Sequence, residues 1–252
     1  MKGESEMDMV YRDYNWCYHH YIDLGMSHEE MAEIAGCKKR TIKKWCCQIF
    51  RLDTWTRAKE KKLDNIQHDL VIGSLLGDGH IDKREKYPLF IVSHAENQKD
   101  YLYYKYEIMK NMCRMKPHEY ESGECIICGS NAHRQKSYRF NTGTYLCFDK
   151  YRNMTKEEIL NELNEYSFAI WILDDGSRCD NIWSLCSANL DNELVVDVLN
   201  NKFGIVGRIQ KDNRYINFNK VSSDKIDEII LRNIPNDLDI IKYKILERKN
   251  NV

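Results

Sequence analysis

Two aspartates carry the clearest chemical signal in this sequence. Asp78 stands near the end of the run VIGSLLGDG, and Asp175 stands near the end of FAIWILDDG 97 residues later. Each closes an apolar stretch that can form a helix, and each is followed by a glycine (Gly79, Gly176) able to cap one. A carboxylate at a helix C-terminus sits in a negative field and is unfavourable there unless a cation joins it. One Asp-Gly cap is common. Two of them, each followed by β-like sequence, indicate a duplicated, cation-dependent site.

The elements that must hold these aspartates can be read around them. A helix beginning near Asp64 runs through His68–Asp69–Leu70 with apolar residues on all sides (Ile66, Leu70, Val71, Ile72, Leu75, Leu76), so it should be buried. Gly73, Ser74 and Gly77 form a stripe of small residues that lets another helix backbone come close. Thr155 and Glu158 form a capping box for a short helix, and residues 166–174 give a second buried helix. Strands are expected at 89–94 and 137–148 after the first helix, around a helix near 99–112. After the second, strands are expected at 182–187, 205–211 and 214–220, with helices at 193–203 and 224–231. The chain reads as an internal duplication.

Net charge is −1, yet residues 37–62 carry ten Lys or Arg against only Asp53 and Glu60. That segment is about +8 and the remainder about −9, so a basic end is joined to an acidic body. Just before it, Ser27 and Glu30 begin a helix over 28–35, Gly36 ends it, and another follows over 38–48. Counting from His28, Met31, Ala32, Ala35, Gly36, Cys37, Ile42 and Trp45 fall at positions four, five, eight, nine, ten, fifteen and eighteen. This pattern resembles the helix-turn-helix of bacterial and phage DNA-binding proteins. The resemblance implies that the last helix enters a major groove. Lys38, Lys39, Lys43 and Lys44 would grip phosphate, and Arg40 and Thr41 would read base edges. Residues 51–65 lack an amphipathic period and read as a basic linker laid along the DNA backbone.

Over about residues 66–246 the chain resembles the LAGLIDADG homing endonucleases in the branch that carries both motifs in one chain. VIGSLLGDG matches the first motif, FAIWILDDGS the second, and Ile241–Lys242–Tyr243–Lys244–Ile245 the closing segment. The resemblance implies an α+β fold of two pseudo-symmetric αββαββα halves, with packed motif helices and saddle-shaped antiparallel sheets. Domains would be a helix-turn-helix at 1–50, the linker at 51–65, a first half at 66–150 and a second at 151–252. It implies Mg²⁺ (Mn²⁺ substituting) held by Asp78 and Asp175, with the carbonyls of Gly77 and Asp174 assisting. The activity implied is hydrolysis of both strands of a specific duplex by a monomer.

A basic residue often completes such a site. Phe148–Asp149–Lys150 and Phe218–Asn219–Lys220 recur near the ends of late strands, nominating Lys150 and Lys220 as auxiliary catalytic lysines. Alternation along the strands points Arg139, Asn141, Arg208, Gln210, Arg214, Asn217 and Asn219 toward DNA. Cys125 and Cys128 with His133 make a CxxC without a second pair, and an extra hairpin loop is the preferred reading over zinc. The longest apolar run, 168–173, is far short of the ~20 residues of a membrane span. With no export signal, a cytoplasmic location and reduced cysteines are expected. An intein is not expected, because the chain starts at Met1 and lacks a terminal His-Asn pair. The alternatives are a non-cutting DNA-binding regulator of the same fold and a maturase acting on intron RNA.

Overall fold

The computed structural model describes residues 6–84, 86–120, 136–179 and 181–246. The cysteine pair at 125 and 128, with its zinc question, lies outside them. Two hydrophobic cores form. A small one, built on Cys17, Ile22, Met31, Ala32, Ile42, Cys46 and Leu52, belongs to the N-terminal helices. The large one contains both motif helices.

The N-terminal unit contains α1 (Tyr14–Tyr18), which continues in wider turns through His19–Asp23, then α2 (His28–Ile34) and α3 (Lys39–Lys43), which continues through Lys44–Ile49. The Ser27–Glu30 capping box forms as expected, and Gly25 and Gly36 take positive φ. The stretch 51–65 is not an open linker. Asp53 caps α4 (Thr54–Glu60), its side chain accepting from Thr56 N–H. Lys61 is 2% exposed, and Asp64 caps the next helix. Lys61 and, in part, Arg57 thus face inward, which a charge count cannot reveal.

The larger unit repeats one topology twice. In the first half, α5 (Asn65–Leu76) leads into β1 (Gly79–Asp82) and β2 (Leu89–Ala95), then α6 (Lys99–Met109), β3 (His118–Tyr120) and β4 (Ser137–Asn141). After α7 (Asp149–Arg152) and α8 (Lys156–Asn161), the second half repeats the order. It runs α9 (Glu165–Asp175), β5 (Gly176–Cys179), β6 (Ile182–Cys186), α10 (Asn192–Phe203), β7 (Gly207–Ile209), β8 (Tyr215–Phe218) and α11 (Lys220–Asn233). A short α12 (Asp239–Ile241) and a wide turn over Lys242–Leu246 close it. Both sheets are antiparallel with equivalent strand orders, β1-β2-β4-β3 and β5-β6-β8-β7. One face of each packs on the core through alternate residues, Phe90, Val92 and Phe140 in the first, Trp183, Leu185, Ile216 and Phe218 in the second.

Helices α5 and α9 pack against each other along the centre. The stripe of small residues makes this possible. A Cβ on Gly73 would lie 2.3 Å from the Ser167 carbonyl oxygen, and one on Gly77 would lie 2.5 Å from Asp174 Cβ. Larger side chains there would force the helices apart and separate the aspartates at their ends.

Two late strands are shorter than the alternation suggested. β4 stops at Asn141, and Lys150 lies in α7. β8 stops at Phe218 because Asn219 caps α11, its side chain accepting from Ser222 N–H at 2.8 Å. Lys220 is therefore the first residue of a helix, not a strand end.

Candidate active site

The C-terminal ends of α5 and α9 meet, and the structure brings Asp78, Asp174 and Asp175 together there. The Asp78 N–H donates to Asp174 Oδ2 at 3.2 Å across the helix pair. Asp78 keeps 40% of its side chain exposed, and its Oδ2 lies 3.2 Å from Nδ1 of His94, a fully buried ring on β2. Burial pushes the Asp78 carboxyl up, but contact with His94 and the charges of Lys105 and Lys244 outweigh it and hold the group below its usual range.

Asp174 has a different role from its neighbour. Its carboxylate is fully buried and accepts from Lys105 Nζ at 2.6 and 2.9 Å, and Lys105 is itself fully buried. With its side chain committed, the exposed part of the residue is main chain.

Asp175 is pushed up to about 7 by burial first, and then by the negative charges of Asp78 and Asp174. Trp171 and Lys156 pull it the other way without prevailing. Carboxylates crowded at two helix ends, where the dipole adds negative potential, are what a hard divalent cation relieves. Among the described residues, Asp78, His94 and Asp174 each offer a ligand atom within 4.8 Å of one another. That donor set fits a divalent ion beside Asp78; Asp175 stands outside it and bears on the site through its charge.

Lysines stand close to the aspartates, and they are not the two nominated from the sequence. Lys150 Nζ lies 3.1 Å from His68 Nδ1, ten residues before Asp78 and so about 15 Å back along α5. Lys220 pairs with Asp224 at 2.7 Å at the start of α11. Neither contacts the aspartates. Instead, Lys244 Nζ donates to the carbonyls of Leu173 and Gly176, both at 2.7 Å. Lys156 Nζ donates to the Leu75 carbonyl at 2.6 Å. Each motif helix thus ends on a lysine, the favourable sign for that pole. Burial pulls the Lys244 ammonium down to about 8. The only sequence signal for Lys244 was its place in the closing segment. Lys156, Lys105 and His94 gave none.

The strands leaving the site present a polar outer face. Arg139 and Asn141 share one side of β4, with the Arg139 guanidinium 3.4 Å over the Tyr120 ring and its Nε donating to Ser93 Oγ. In the second sheet Arg208 is paired in register with Asn217. Ser184 and Gln210 both donate to Asn217 Oδ1. Arg208, Arg214 and Asn217 are exposed. Asn219 is occupied as the helix cap and does not join this face. On α3, Lys38, Lys39, Arg40, Lys43 and Lys44 are exposed and Thr41 is half-buried, with Lys39 paired to Glu29.

Comparison with known proteins agrees with this geometry. The model of the LAGLIDADG DNA endonuclease family matches residues 68–226. A cytochrome b mRNA maturase bI2 from Saccharomyces cerevisiae is 26% identical over 172 residues, covering 58% of this chain and 38% of the relative. A probable intron-encoded endonuclease 1 from Wickerhamomyces canadensis is 25% identical, covering 47% and 53%. The chain thus spans about half the length of these relatives or less. The fold is similar to that of the homing endonuclease I-WcaI bound to its DNA recognition sequence. That match has a TM-score of 0.62 and 22% identity, and it covers 74% of this chain and 88% of the other.

Proposed function

Because this chain belongs to the LAGLIDADG DNA endonuclease family, we propose that it is a monomeric, site-specific endonuclease that cuts both strands of duplex DNA. The observation that carries this reading is the pairing of Asp78 and Asp175 at adjacent helix ends, where burial and then the charges of Asp78 and Asp174 raise Asp175 to about 7. Asp78, Asp175 and the carbonyls of Gly77 and Asp174 would hold Mg²⁺, with Mn²⁺ able to replace it. The ion supplies charge stabilisation at phosphorus and an activated water.

The chain's own residues do the rest. Asp174 fixes the Asp78 backbone, and Lys105 neutralises the buried Asp174 carboxylate. Lys156 and Lys244 hold the last carbonyls of the two motif helices, and they place positive charge where a phosphate would enter. The outer sheet faces, with Arg139, Asn141, Arg208, Gln210, Arg214 and Asn217, contact the duplex on either side. The exposed α3 cations add phosphate grip, with Arg40 and Thr41 placed for bases.

In vitro selection for cleaved duplexes from a randomised library tests this with Mg²⁺ present. Enrichment of one sequence is expected, and its absence would remove the activity from this chain. A maturase reading is favoured by the yeast relative's name. Tight binding of structured intron RNA without any DNA cleavage would move the assignment there.

A further inference from the structure

We infer that the helix-turn-helix is locked onto the first half by a polar clamp on the Asp23 and Gly25 carbonyls, so that both units read one duplex with fixed spacing. The inference rests on the DNA-binding reading above, but the clamp itself does not. The first helix of the N-terminal unit ends near Asp23, where its last carbonyls lack helical partners. The Asp23 carbonyl accepts from Lys61 Nζ and, at 3.2 Å, from Asn111 Nδ2. The Gly25 carbonyl accepts from Arg57 Nη2. Three donors from outside the helix-turn-helix therefore converge on two carbonyls at its edge.

Two of the donors, Asn111 and Arg57, are anchored on the other side. Asn111 Oδ1 accepts from Gln67 Nε2 at 2.7 Å, and Gln67 sits on α5, the helix that ends at Asp78. The Arg57 guanidinium also lies 5.1 Å over the Tyr21 ring. Its helix, α4, is fixed to the first half by Trp55, which meets Tyr87 edge-on and lies under Lys86 Nζ at 4.9 Å. Lys61 is 2% exposed, a position that a lysine holds only when its charge is placed well, here at the negative end of a helix. Gly25 allows the approach. A Cβ there would stand 2.2 Å from the Asn111 carbonyl oxygen and 2.9 Å from Arg57 Nη2.

The joint is polar rather than apolar. The two units have separate hydrophobic cores, and a cleft of about 910 Å³ opens beside the clamp, lined by Met26, Glu30, Arg114 and Thr144 among others. Orientation therefore depends on a few hydrogen bonds, and none of the exposed α3 cations is spent on them. A reading helix held in this way cannot follow a displaced binding site. Half a helical turn of inserted DNA, about five base pairs, would carry the outer segment to the opposite face of the duplex.

The test uses the full-length chain, with Ca²⁺ in place of Mg²⁺, and a duplex recovered by selection on the wild-type protein. Inserting about five base pairs between the α3 footprint and the core footprint should weaken wild-type binding by tenfold or more, to the level of a duplex lacking the outer segment. The variant carrying both Lys61→Met and Asn111→Ala lies outside the helix-turn-helix and spares its fold. It should bind the spaced and unspaced duplexes equally. Equal binding of both duplexes by wild type would overturn the inference. Limited proteolysis without DNA reads the clamp alone: residues 51–62 should resist cleavage in wild type and become susceptible in the double variant. Equal susceptibility would also overturn it. If no duplex is bound at all, the functional reading has failed, and the protease result still decides the clamp.

Discussion

Replacing Lys105 with methionine gives the most informative stability experiment. It removes the positive partner of a carboxylate with no exposed side-chain surface. The Asp174 carboxylate would keep the Asp78 N–H and the more distant His94 ring, but no ammonium in direct contact. Breaking a buried pair in this way costs about 3–5 kcal/mol. Urea unfolding should therefore show a deficit of about 3–4 kcal/mol at pH 7 for the variant against wild type. Adding Asp174→Asn should recover most of it, since the amide oxygen can still accept from Asp78 and no charge is stranded. A deficit below about 1 kcal/mol at pH 7, or one that Asp174→Asn does not relieve, would refute a desolvated ion pair here.

Two further outcomes are expected. Asp175, held at about 7 in the metal-free protein, must lose its proton to take a divalent ion. Mn²⁺ affinity measured by electron paramagnetic resonance should therefore strengthen between pH 6 and 8, by up to about tenfold per unit below the midpoint. Asp78→Asn, which removes a like charge, should shift that midpoint downward, and a pH-independent affinity would contradict the crowding argument. Lys244→Met should lower the cleavage rate about 100-fold, whereas Lys150→Met and Lys220→Met should cut at the wild-type rate. Equal losses in all three would return the auxiliary role to the residues first nominated.

Features set by local physics were legible in the sequence. The capping boxes at Ser27–Glu30 and Thr155–Glu158 depend on residues three apart, and both form. The Gly73–Gly77 stripe declared a helix–helix contact without naming the partner, and the duplication supplied α9. What the sequence concealed are residues whose environment is made by distant chain. Lys105 sits in the tyrosine-rich Tyr101–Tyr106 stretch and looks like surface charge; only Asp174, 69 residues away, makes it a buried ion. His94 ends an apolar strand and reads as a core ring until the helix pair brings Asp78 to it. The matching tripeptides at Lys150 and Lys220 do not mark strand ends, because the residues that come after them turn both into helix starts, α7 and α11. The basic stretch 51–65 hid a buried face because Arg57 and Lys61 are satisfied by main-chain carbonyls rather than by acidic residues.

Joint support of metal-dependent cleavage by Asp78 and Asp175 can be read from strand-resolved cleavage of a selected duplex with Mg²⁺. Wild type, Asp78→Asn, Asp175→Asn and the double variant would be compared, each first shown to bind the duplex. Double-strand breaks are expected from wild type alone, with no cleavage of either strand by the double variant. Double-strand breaks made by the double variant would rule out a role for the two aspartates.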